Sequence, residues 1–134
     1  MRTRGFTLIE LIITLGIVSI LAAIASSLFS YQVQKSRRAD GLDTISSIAL
    51  AEERYRSNHT TYGSLAQVWG GVTTTPGGFY TIAISNTSAT SYTITATGTR
   101  TQITDAENGT ACNVLAFAAS NGTVTTTPAT CWPQ

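Results

Sequence analysis

Residues 6–31 read FTLIELIITLGIVSILAAIASSLFSY, from Phe6 to Tyr31. The run exceeds the ~20 apolar residues that cross a bilayer core. Between Leu11 and Gln34 there is no Asp, Glu, Lys or Arg. Only Met1 to Gly5 precede it, and that short leader carries Arg2 and Arg4. An ordinary secretory signal has an apolar stretch of about 7–15 residues and then a small-residue cleavage site. This stretch is too long for that pattern. A plain membrane anchor would account for all of it except Glu10. An ionised carboxylate near the start of a membrane helix is costly unless paired, so Glu10 points to a specific partner.

The stretch Gly5-Phe6-Thr7-Leu8-Ile9-Glu10, with a basic leader before it and an apolar helix after it, resembles the class III signal of type IV prepilins. The resemblance implies that a membrane prepilin peptidase cuts after Gly5 and methylates the new amine of Phe6. It further implies that Glu10 of one subunit neutralises the Phe6 amine of a neighbour. In a low-dielectric helix bundle that pairing relieves the penalty on the carboxylate. One departure stands out. Many pilins place a kinking Pro at the position of Ser27, whereas here Ser26 and Ser27 adjoin, with Gly16 and Ser19 upstream. Such residues allow close packing and mild bending, so a straighter helix is expected.

Charged residues make up 11% of the 134 residues, against roughly 25% in average globular domains. Among the eight basic residues only Arg100 lies beyond position 56, where Asp105 and Glu107 outnumber it. The C-terminal portion thus lacks an evident phosphate-holding patch, which argues against direct nucleic-acid binding. Two thiols, Cys112 and Cys131, with the lone His59 far off in sequence, cannot complete a four-ligand zinc site. A disulfide is the better reading, worth about 3 kcal/mol by chain entropy and placing this portion in an oxidising compartment. The alternative is a pair of buried, reduced cysteines in a cytosolic protein. Positive charge flanks both ends of the apolar run, Arg2 and Arg4 before it and Lys35, Arg37 and Arg38 after it. Charge counting therefore leaves orientation open. The cysteines and the resemblance both favour a cytoplasmic N-terminus.

Helical character continues past the apolar run. Leu42, Ile45, Ile48, Ala49, Glu52 and Tyr55 recur at three- and four-residue steps. The simplest reading is one helix from about Thr7 to Arg56, roughly 75 Å long at 1.5 Å per residue. Lys35, Arg37, Arg38, Asp40 and Asp43 then read as a solvated or headgroup-facing collar, with charge pairing between subunits as the sharper alternative. Residues 57–78 are turn-rich and read as a loop of limited order. His59 is an ordinary loop histidine, and Trp69 either anchors the loop or meets a neighbour. Phe79–Ser85, Ser91–Gly98, Cys112–Ala118 and Gly122–Thr126 read as strands, the last two joined by the hairpin signal Asn121-Gly122. Asp105 to Gly109 reads as a plain turn.

These elements give an α+β chain. It comprises a leader (1–5), a transmembrane or filament-core helix (6–34), the amphipathic half of the same helix (35–56), and a head (57–134) with a four-stranded antiparallel sheet and a disulfide-closed loop. The order resembles the type IV pilin fold, closest in pattern to the small type IVa minor pilins. The resemblance implies a structural subunit of a type IV pilus serving adhesion, twitching motility or DNA uptake. Its partners are other pilin subunits, the prepilin peptidase and the inner-membrane assembly machinery. The chain is expected in the bacterial inner membrane before assembly, with its head in the periplasm, and afterwards in the extracellular pilus. The alternatives are a pseudopilin of a type II secretion system and a DNA-receptor pilin. No catalytic constellation, cofactor or metal motif is evident.

Overall fold

The computed structural model describes residues 6–133, with the backbone alone for 26–28. Gly5 and the rest of the leader lie outside the described residues. The first helix, α1, runs Leu8–Arg56. Thr7 caps it, accepting the Glu10 N–H on its hydroxyl at 3.3 Å and the Leu11 N–H on its carbonyl at 3.2 Å. Contacts divide the chain into two units, Met1–Val33 and Gln34–Gln134.

In the first unit, the most apolar window of α1 has mean hydropathy 2.6 and none of its residues buried. By length and composition it can cross a membrane. Two of its hydroxyls are satisfied locally. Thr14 donates to the Leu11 carbonyl at 2.9 Å and Ser19 to the Gly16 carbonyl at 2.8 Å. The backbone is helical through Ser26 and Ser27.

In the second unit, the helical stripe becomes one wall of a core. Ile45, Ile48 and Glu52 are fully buried, while Asp43, Ser46, Ser47 and Glu53 stay exposed on the other side. The opposite wall is an antiparallel sheet of β1 (Tyr80–Ser85), β2 (Ser91–Gly98), β5 (Val114–Ser120) and β6 (Thr123–Thr127), in that order. Between β2 and β5 stand a 3-10 turn, Arg100–Thr104, and a small ribbon of β3 (Ala106–Glu107) and β4 (Thr110–Ala111). Register places Ile82 opposite Ala96, and Ile94 opposite Ile84 and Phe117. Alternate residues therefore meet α1, as period-two patterning requires. Asn121 and Gly122 take φ of 49° and 78°, the pair of positive values that a two-residue hairpin turn needs.

Three details depart from the expectations. First, β5 begins at Val114, two residues after Cys112. The Cys112 N–H is drawn away to the Asp105 carbonyl at 2.8 Å, so it does not join the ladder. Second, Asp105 to Gly109 is half of the ribbon rather than a plain turn, with Asn108 and Gly109 at φ of 49° and 80°. Third, residues 57–78 are well organised. A helical turn, α2 (Leu65–Trp69), ends in left-handed Gly70 and packs Trp69 partly against the core. Thr73 and Thr75 then bond along β1, through the Ile82 N–H to the Thr73 carbonyl and the Thr75 N–H to the Tyr80 carbonyl. These bonds are tertiary, which is why turn composition did not reveal them.

The 3-10 turn closes tightly over the end of β2. A Cβ on Gly98 would lie 2.7 Å from the Gln102 carbonyl oxygen. Gly98→Ala should therefore destabilise the head by about 1–3 kcal/mol, read as a lower urea midpoint at unchanged slope.

Candidate functional site

The residues singled out in the sequence lie in separate places. Phe6 precedes α1 and is 81% exposed. Glu10 is exposed in the first turn, where the helix dipole favours an anion. Among the described residues no cation lies within salt-bridge distance of it. Cys112 and Cys131 are joined in a disulfide with Cα atoms 5.7 Å apart, both buried. The bond ties the short 3-10 turn Ala129–Cys131 to the segment between β4 and β5. Trp132 follows, its indole N–H donating to the Thr127 carbonyl.

The expected charged collar is only partly solvated: Lys35 and Asp43 are exposed, whereas Arg38 and Asp40 turn inward. Arg38 is buried, 3% exposed, and turned into the head. Its Nε and Nη2 donate to the two oxygens of Asp105, each at 2.8 Å, and Nη1 donates to Glu107 at 2.8 Å. Lys35 adds a second contact to Glu107 at 3.3 Å. Asp40 is likewise turned inward on its segment, accepting the Gly77 N–H at 3.0 Å. Hydrogen bonding by Asp105 leads the effects that raise the Arg38 pKa, so the guanidinium stays charged despite burial. A guanidinium fork matched to two carboxylates is the geometry that makes such burial tolerable. Gln102 extends the cluster, donating to Tyr80 Oη at 3.0 Å and to the Gln34 carbonyl at 3.1 Å. One signal for this cluster was present. Asn108-Gly109 carries the same hairpin dipeptide as Asn121-Gly122, and a ribbon there sets Asp105 and Glu107 on one face.

The cluster changes the charge of the surface above it. Asp105 and Glu107 are spent on Arg38 and Lys35, leaving Arg37 and Arg100 with no carboxylate in salt-bridge range among the described residues. Arg37 lies 4.7 Å over the Phe79 ring and donates to Thr101 Oγ1 at 2.7 Å. Counting charges along the chain could not distinguish acids that offset Arg100 from acids consumed inside.

At the far end of α1 a second polar group is buried. Glu52 accepts the Gly63 N–H at 2.8 Å on one oxygen, which fastens the loop before α2 to the helix. Burial pushes its carboxyl above the ordinary range, the Gly63 bond opposes this, and Glu53 next door adds to it. His59 stacks on Tyr55 at 3.8 Å, a local contact.

With that geometry in view, comparison with protein families gives two matches. Residues 1–26 match the prokaryotic N-terminal methylation motif. Residues 27–116 match the family described as type IV minor pilin ComP, DNA uptake sequence receptor. The chain belongs to the ComP family of type IV minor pilins. A search of curated proteins finds no significant match. Family membership makes this minor pilin a type IV pilus subunit, and its methylation motif and apolar helix fit anchoring in the inner membrane before assembly. Its family is one of structural filament subunits.

Two outcomes follow for the minor pilin's head. Arg38→Ala strands two buried carboxylates and should cost about 3–5 kcal/mol, measured by chemical denaturation. Because the Glu52 carboxyl is raised on folding, the folded state holds its proton more tightly than the unfolded chain. Its stabilising share is full below 4.5 and declines as pH rises from there through the raised value. Glu52→Gln should flatten that decline in melting temperature between mildly acidic and neutral pH.

Proposed function

We propose that this minor pilin is cut after Gly5, methylated on Phe6, and built into a type IV pilus by pairing Glu10 with the Phe6 amine of a neighbouring subunit. The observation that carries the reading is Glu10 itself, an acid in the first turn of a helix whose apolar window is entirely unburied. Such a carboxylate needs a cation once water is removed. Cleavage creates one at Phe6, so processing and assembly are linked. The peptidase, the other pilins and the inner-membrane assembly machinery are its partners. The N-terminus is cytoplasmic. The disulfide-bearing head matures in the periplasm and ends on the extracellular filament. The subunit works without catalysis.

Within that frame, reception of DNA is the role we favour, above adhesion alone and above a pseudopilin of a secretion system. The matched family is described by its DNA-uptake receptor. The inward pairing of Asp105 and Glu107 weakens the charge argument against it, since these acids do not oppose Arg100. Glu10→Val should leave the protein in the membrane and absent from sheared filaments, with uptake of DNA lost. Mass spectrometry of wild-type filaments should find chains beginning at methylated Phe6. Normal amounts of the Glu10→Val protein in filaments would refute the pairing.

A further inference from the structure

We propose that Arg37 and Arg100 form a contact site for the DNA phosphodiester backbone on the head, with Phe79 and Thr101 holding it in place. The proposal rests on the DNA-receptor reading above.

Three observations converge on it. The first is charge. The carboxylates nearest in sequence to Arg100 are neutralised within the chain by Arg38 and Lys35. Asp40, one helical turn after Arg37, is turned to the Gly77 N–H.

The second is preorganisation. Long arginines usually lose rotamer freedom on binding. Here the Arg37 guanidinium is already fixed between the Phe79 ring and the Thr101 hydroxyl. The Thr101 carbonyl is itself held by Gln34 Nε2 at 2.9 Å. Among the described residues only Nη1 of Arg37 is engaged in a hydrogen bond, leaving donors for a phosphate in the planar arrangement that matches it. The Arg37–Thr101 bond also places this guanidinium beside the residue next to Arg100.

The third is backbone strain. Among the described residues, four other than glycine have positive φ: Asn86, Arg100, Asn108 and Asn121, with Arg100 at 53°. Asn tolerates that conformation at little cost, whereas other side chains pay for it. Arg100 is the exception: it is exposed, and among the described residues it has no ion pair. A strained residue kept at a surface position is a sign of use. Phosphate contacts of this kind position a duplex without reading its sequence.

The test uses the full chain in detergent micelles and fluorescence anisotropy with two 30-base-pair duplexes of unrelated sequence, across a salt series. Arg37→Gln and Arg100→Asn should each weaken binding to both duplexes alike and reduce the salt-dependence slope by about 1. Arg54→Gln, in the last turn of α1, should leave both unchanged. Arg100→Asn should also raise the melting temperature, because it relieves the backbone, so lost binding cannot be ascribed to unfolding. Should Arg37→Gln fail to fold, Arg100→Asn decides alone. Wild-type binding that is retained in the Arg100→Asn variant would overturn the site and spare the receptor reading. No salt-sensitive binding by the wild type would overturn both. Equal losses in Arg54→Gln would show diffuse attraction in place of a site.

Discussion

Arg38 lies on a helix and its partners on a ribbon more than sixty residues later, yet three bonds of 2.8 Å join them out of water. Much of the head depends on that junction. It draws Asp105 inward, and the Asp105 carbonyl then holds the Cys112 N–H. Cys112 in turn holds Cys131 and with it the end of the chain. The 3-10 turn before Asp105 is pressed over Gly98 closely enough to exclude a methyl group. The sheet and the stripe of isoleucines supply apolar burial. The guanidinium decides where the irregular parts go.

Burial of this kind is weak evidence of stability, because desolvating three charges offsets much of their attraction. Its clearer effect is on specificity of placement. An apolar substitute could fill the same volume but would not dictate the position of each carboxylate. The result is a surface whose charge differs from its composition. The chain's net charge of +1 is spread thinly, and among the described residues internal pairing leaves Arg37 and Arg100 without a carboxylate partner, where the count had set Asp105 and Glu107 against Arg100.

What could be read from the sequence follows from what is local. The stripe through Ile45, Ile48 and Glu52 was legible because its period belongs to the helix, and the Asn121-Gly122 turn because two positive φ values demand those residues. The strands were legible to within two residues. The ion cluster was not read there, since Arg38 carries no mark of a partner so distant in sequence and the Asn108-Gly109 signal passed for a plain turn. Nor was the order of residues 57–78, which rests on Glu52 holding Gly63 and on the bonds of Thr73 and Thr75 to β1. Glycine and threonine there suggested slack chain, whereas the tertiary bonds take it up. The Glu10 motif was plain, but its proposed partner belongs to another molecule.

The hydroxyls of the apolar helix have a consequence of their own. Thr14 and Ser19 spend their hydrogens on carbonyls of the preceding turn. For them, passage from lipid into a bundle of like helices is an exchange between two solvents of the same polarity, with no bond broken on leaving and none awaited on arrival. Neither hydroxyl tethers the subunit to the bilayer or pulls it out. On the assembly we propose, the balance between the two destinations is left to packing and to the pairing of Glu10.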